Sequence, residues 1–145
     1  MVIELTLAWR KGPFILMGEF LQANVSSITT NDPSFKGYYV VASYVISGEM
    51  RGYNKRSGLV NRLKVANEVK SGGWGALEVY SRWSSVDMTD QNVAGGEMNT
   101  LSFGLNWWPM SSIQANVNYR YSTLDRFGEQ GFNHGLVTRL VFMLE

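Results

Sequence analysis

Three arginines carry the chemistry that this chain could perform. Arg82, Arg120 and Arg139 each sit on the polar side of a stretch in which polar and apolar residues alternate. A guanidinium never deprotonates in a protein, and its fork of donors matches phosphate or carboxylate oxygens. Repeated along a water-filled passage, such side chains select anions. The competing role is structural, with each arginine neutralising a wall carboxylate such as Glu4, Glu19 or Glu78. A second basic group, Arg51, Lys55, Arg56, Arg62 and Lys64, lies within Gly48 to Gly73. Folded into or across a channel mouth, it would concentrate anions by focusing the field. As a solvated loop it would only oppose aggregation.

Other chemistry is thin. His134 is the single histidine, and a Ser-His-Asp system can be drawn with Ser122 and Asp125. It rests on closeness in sequence, whereas such triads are recognised by geometry. Asp87, Asp90, Asn92 and Glu97 are close enough to suggest calcium, but they miss the EF-hand spacing. A polar loop is the simpler reading. Cysteine is absent, which removes disulfides, thiolate nucleophiles and Cys-based zinc sites. No phosphate-cradling glycine loop or dinucleotide fingerprint is present. The expectation is no catalytic residue, no metal ligand and no cofactor.

The elements that position the arginines are strands. Ile113, Ala115, Val117, Tyr119 and Tyr121 alternate with Gln114, Asn116, Asn118, Arg120 and Ser122. Successive strand side chains point to opposite faces, so one face is apolar and ends in tyrosines while the other is polar. That combination marks a transmembrane β-barrel strand. Trp9, Trp83, Trp107, Tyr119, Tyr121 and Phe142 are expected near the membrane interfaces.

Composition agrees. Charged residues are 17% of the 145, against the usual quarter, and aromatics are 13%. No apolar run reaches the ~18 residues a membrane helix needs, and barrels escape that test because alternate residues are polar. A net charge of +1 implies no polyanion, and so no nucleic acid, as partner.

Strand patterns recur along the chain. They cover about Val2 to Arg10, Phe14 to Ile28, Gly37 to Ser47, Trp74 to Met88, Thr100 to Trp107 (ended by Pro109), Ile113 to Ser122, and His134 to Leu144. In the fourth, Glu78, Tyr80 and Arg82 are placed inward, with Leu77, Val79 and Trp83 outward. The breaks at Lys11–Pro13 and Pro109–Ser112 are short; those at 29–36, 89–98 and 123–133 are long. Short turns on one side and long loops on the other require that 48–73 contributes no crossing. Seven crossings in one domain, 1–145, is an odd count, and a membrane barrel does not tolerate open edges. Met1 to Trp9 has no signal-peptide pattern and already reads as strand. The expectation is a fragment of a larger barrel.

The residues resemble a known family, the phosphate-selective porins of the O and P type. The strongest stretch is Phe35 to Gly58, FKGYYVVASYVISGEMRGYNKRSG. It is similar to the family's Gly-Tyr-Tyr-Val strand, Gly-Glu, and basic Tyr-x-x-Arg-Ser-Gly segment. Gly12-Pro13-Phe14 with Gly18-Glu19-Phe20 resembles the family's Gly-Pro-Phe and Gly-Glu-Tyr hairpin. Tyr80-Ser81-Arg82 before Asp87, Gly95-Gly96-Glu97 and Leu105-Asn106-Trp107 are similar in kind and order. The likeness spans essentially the whole chain and implies the C-terminal part of such a porin. It implies an all-β, antiparallel up-and-down barrel of about sixteen strands, trimeric when full-length, in the bacterial outer membrane and its lipid. It also implies passage of small anions, inorganic phosphate among them, through a lumen lined by Arg and Lys. Two departures stand out. The family's N-terminal half, with the inward loops of its constriction, is not in the chain. The chain also ends Phe142-Met143-Leu144-Glu145 rather than on a terminal aromatic. Two alternatives remain at this stage: a soluble β-barrel or sandwich binding an apolar ligand, and a barrel-embedded hydrolase.

Overall fold

The computed structural model describes residues 1–54, 59–61 and 63–143. Its strands in chain order are β1 (Val2–Lys11), β2 (Phe14–Asn24), β3 (Ser34–Val45), β4 (Tyr53–Asn54), β5 (Leu59–Val60), β6 (Ala76–Asp90), β7 (Val93–Met110), β8 (Ile113–Arg126) and β9 (Glu129–Phe142). The seven long strands form one antiparallel meander in the order β1-β2-β3-β6-β7-β8-β9. The sheet is open, with β1 and β9 at its edges. The two-residue β4 and β5 pair only with each other, so the 48–73 connection adds no crossing strand among the described residues. The expected seven crossings hold.

The period-two pattern sets the two faces. Register places Leu7, Gly18, Val40, Trp83, Leu101, Tyr121 and His134 in one row across the sheet, all on the apolar face. Leu5, Leu7, Trp9, Phe103, Leu105, Val117, Leu136 and Leu140 are all exposed on that face. An apolar surface this continuous belongs against lipid, since soluble monomers do not leave such areas uncovered. One rim carries Trp9 edge-on to Phe14, Tyr44 opposite Phe14, Trp107 and Phe142. The Trp107 indole N–H donates to the Trp74 carbonyl at 2.9 Å. The other rim carries Tyr38 edge-on to Trp83, then Tyr121, His134 and Phe132. Between two aromatic rims lies an aliphatic band, the pattern of a barrel wall. A ligand-binding soluble barrel would need this face turned inward; the opposite face is instead polar.

Strand bounds differ from the sequence expectation in an instructive way. The second pattern ends at Asn24 rather than Ile28, because Asn31 and Asp32 take positive φ and Asp32 caps the Ser27 amide. The third strand is Ser34–Val45 rather than Gly37 to Ser47. The expected loops at 89–98 and 123–133 are mostly strand, closed by tight turns at Gln91-Asn92 and Phe127-Gly128. Phe127 and Gly128 both have positive φ, as the tightest hairpin turns demand. Pro109 does not end its strand. It sits in an irregularity between Trp107 and Met110, where its missing N–H costs no ladder bond. At ~3.3 Å per residue, the 18-residue β7 exceeds the ~25 Å apolar band, so its far end stands clear of lipid.

The buried apolar cluster is small: Val45, Leu63, Ala76 and Trp108, with Val65 packed against it. It lies where the 46–75 connection folds back on the foot of the polar face. A barrel wall has lipid on one side and water on the other, so it needs no larger core.

Candidate functional site

The polar face carries the expected arginines together. Arg82 is in register with Ser102, Ser102 with Arg120, and Arg120 with Gly135. Arg82 and Arg120 therefore share one row, two strands apart, with only a serine between. Gly135 places no side chain beside Arg120, and a Cβ there would meet nothing within 4 Å. Arg139 opposes Asn116, four residues further along β9 than Gly135 and so ~13 Å away along the strand. All three arginines are exposed and line one concavity of about 260 Å³ with Tyr80, Ser102, Asn116 and Asn118. The inward phase assigned to Glu78, Tyr80 and Arg82 is the one the register gives.

Among the described residues the ion pairs are Arg51–Glu78 and Lys70–Glu68. Arg82, Arg120 and Arg139 take part in neither. Arg82 instead lies over the Tyr39 ring, 4.2 Å from its centre, and the Tyr39 hydroxyl donates to Glu19 at 3.2 Å. A cation over an aromatic face is held in place without being neutralised.

Below Arg82 and Arg120, in the row of Arg139, runs a carboxamide ladder. Asn106 donates to Glu78 at 2.7 Å and accepts from Gln114 at 3.0 Å and from Asn116 at 2.6 Å. Asn118 donates to the Tyr80 hydroxyl at 2.8 Å. The Tyr80 ring lies over Gly104, where an added Cβ would come 2.2 Å from Cζ. Glycine is required at that place because the ring occupies the space of its side chain.

The basic connection behaves differently from the wall. Arg51 donates to Glu78 at 2.8 Å and stacks over Trp108 at 4.9 Å. Glu78 is only 3% exposed, so the pair is desolvated and each charge serves the other. The Arg51 carbonyl also accepts from Arg10. Lys64 is exposed and outside the ion pairs above; Lys55, Arg56 and Arg62 lie outside the described residues. Further along, Glu68 accepts from Lys70 at 2.8 Å and from both the amide and hydroxyl of Ser111 at 3.0 Å. The Lys70 bond, then those from Ser111, lower the Glu68 carboxyl to about 2. The Lys70 ammonium is raised in turn by Glu68.

Ser122 and His134 do not meet. Ser122 shares a hydroxyl contact of 2.9 Å with Thr100 on the polar face, while His134 Nδ1 contacts the Tyr119 hydroxyl at 2.6 Å on the apolar one. Asp125 accepts from Gln130 at 3.0 Å. Asp87 and Asp90 accept from the backbone amides of Thr89 and Ser34 at 2.9 and 2.7 Å. Sequence reasoning missed the parts played by Tyr39 and Trp108; for Tyr80 and Asn106 it gave the inward face but not the partners. The signal for where the Tyr80 ring lies is Gly104, a glycine inside a strand beside it in register.

Comparison with known proteins agrees with this architecture. The family described as phosphate-selective porin O and P matches residues 1–144. Porin O of Pseudomonas aeruginosa is 25% identical over 150 aligned positions, covering 94% of this chain and 33% of that protein. An uncharacterized protein of Caulobacter vibrioides is 32% identical over 91 residues, covering 63% of this chain and 18% of that protein. The chain thus spans a third or less of these relatives. Two-rimmed apolar outer face, polar inner face, meander topology and family match converge: the chain belongs to the phosphate-selective porin O and P family of bacterial outer-membrane porins.

Proposed function

We propose that this chain forms one arc of a closed barrel and that its polar face lines a water-filled path for small anions, inorganic phosphate among them. The observation that carries the reading is the row Arg82–Ser102–Arg120 with Arg139 on the same concavity, all exposed and outside the ion pairs of the described residues. Exposed cations that close no ion pair among the described residues attract and pass anions rather than stiffen the wall. The amide ladder beside them offers hydrogen bonds, and its one carboxylate, Glu78, is already paired with Arg51, so an ion that leaves the arginines meets no trap. The open edges of β1 and β9 would be paired by further strands of a larger barrel, since unpaired backbone is not stable in lipid. A subunit of a trimer fits the same reading.

Passage of this kind needs no nucleophile or general base. The test is the zero-current potential of the full-length protein in a planar bilayer under a potassium chloride gradient. Anion preference, with phosphate reducing the chloride current at millimolar concentration, is the expected result. Cation preference would remove the proposal.

A further inference from the structure

The inner face is not uniformly basic. Glu4 and Glu19 lie on its β1–β2 side, with Thr6 opposite Glu19, whereas Arg82, Arg120 and Arg139 lie on its β6–β9 side. The two sides meet at Tyr39. Its hydroxyl donates to Glu19 at 3.2 Å, and its ring carries the Arg82 guanidinium at 4.2 Å. Glu19 and Arg82 line one concavity of about 230 Å³ together with Tyr39 and Ser84. They do not close an ion pair with each other; the Tyr39 side chain contacts one through its hydroxyl and the other through its ring. Arg82 also belongs to the neighbouring concavity that holds Arg120 and Arg139.

We propose that this seam is a binding subsite for small zwitterions carrying both an ammonium and a phosphate, of the ω-amino phosphate ester class. A carboxylate and a guanidinium that both contact one tyrosine, on a shared hollow, are complementary to a molecule with the opposite charges at its two ends. The ammonium meets Glu19. The phosphate meets Arg82, with the Arg120 row behind it. The Tyr39 hydroxyl fixes the carboxylate, so little ordering remains for the ligand to impose. A lone anion uses only the arginine side and is repelled by Glu19. This inference rests on the anion path proposed above and names a solute class for it.

The test uses the full-length protein in planar bilayers, with 2-aminoethyl phosphate and propyl phosphate as probes. The two differ in size by little and in charge by the ammonium alone. Each is titrated as a blocker of chloride current. The expected result is a lower half-blocking concentration for 2-aminoethyl phosphate. Glu19→Gln should raise that value about fivefold or more while moving propyl phosphate less than about twofold, as loss of one charge-assisted contact predicts. Equal shifts for both probes, or none, would overturn the subsite while leaving the anion path intact. Failure of both probes to block, with a cation-selective zero-current potential, would overturn both. Tyr39→Phe is the second variant: it keeps the ring and the Glu19 charge but frees the carboxylate from the hydroxyl, so the preference for the aminated probe should shrink without disappearing. Its loss would also overturn the subsite.

Discussion

Arg51 and Glu78 meet at 2.8 Å over the Trp108 ring, so a cation expected to face passing anions instead fastens the 46–75 connection to the wall. Leu63, 1% exposed among Val45, Ala76 and Trp108, completes the anchor. Arg51→Ala leaves Glu78 with Asn106 as its remaining side-chain partner among the described residues, in a desolvated place. The expected loss is about 1–3 kcal/mol, below the full cost of a broken buried pair because Arg51 keeps 21% of its side-chain surface in water. Faster proteolytic cleavage within 46–75, with the strands still protected, would report it.

The strands were legible where lipid dictates the pattern and not beyond it. Ile113 to Ser122 alternates because one face must be apolar, and β8 begins at Ile113 as read. Past the aromatic rim both faces are wet, so the alternation fades and Thr123 to Arg126 or Val93 to Met98 look like loop while remaining strand, paired except at the irregularity of Gly95 and Gly96. The arginines of the wall were readable from the same alternation. Arg51 with Glu78, and Leu63 with Trp108, were not. Their partners are distant in sequence, and only the fold-back of the connection brings them together.

The in/out phase of β7 gives a direct stability contrast. Leu105 is on the lipid face between Val79 and Val117. Leu105→Arg should cost about 2–4 kcal/mol near the bilayer midplane. Asn106, although inward, is 9% exposed and bonded to Glu78, so it is a poor water-facing control. Val137 is inward and exposed, opposite Asn118. Val137→Arg should cost well under half as much in a urea titration of the barrel in lipid or detergent. Equal costs would reverse the assignment of the faces.

Gly104 and Tyr80 should behave as a coupled pair. Gly104→Ala forces the Tyr80 ring off the wall and breaks its bond from Asn118, for a loss of about 1–2 kcal/mol. In a Tyr80→Ala background the same change should be nearly neutral, giving a coupling of about 1–2 kcal/mol in a double-mutant cycle. Additive effects would place the ring elsewhere.

The Glu68 clamp predicts acid sensitivity at the foot of the wall. Its folded carboxyl titrates at about 2, below the ordinary 4.5. The contribution is fully present above pH 4.5 and is lost as pH falls through the interval toward 2. Hydrogen exchange of the 66–75 backbone, compared at pH 6 and pH 3, should show loosening at the lower value. Glu68→Gln should abolish that difference.

The central claim is that exposed wall arginines set the sign of the ion that passes. The most direct measurement is the zero-current potential, under a potassium chloride gradient, of the full-length protein carrying Arg120→Glu with Arg139→Glu. The two side chains lie on adjacent strands of the same concavity, and the exchange reverses four charge units there. The account predicts a shift toward cation selectivity, largest at low salt where screening is weakest. A potential identical to that of the unaltered protein would contradict it.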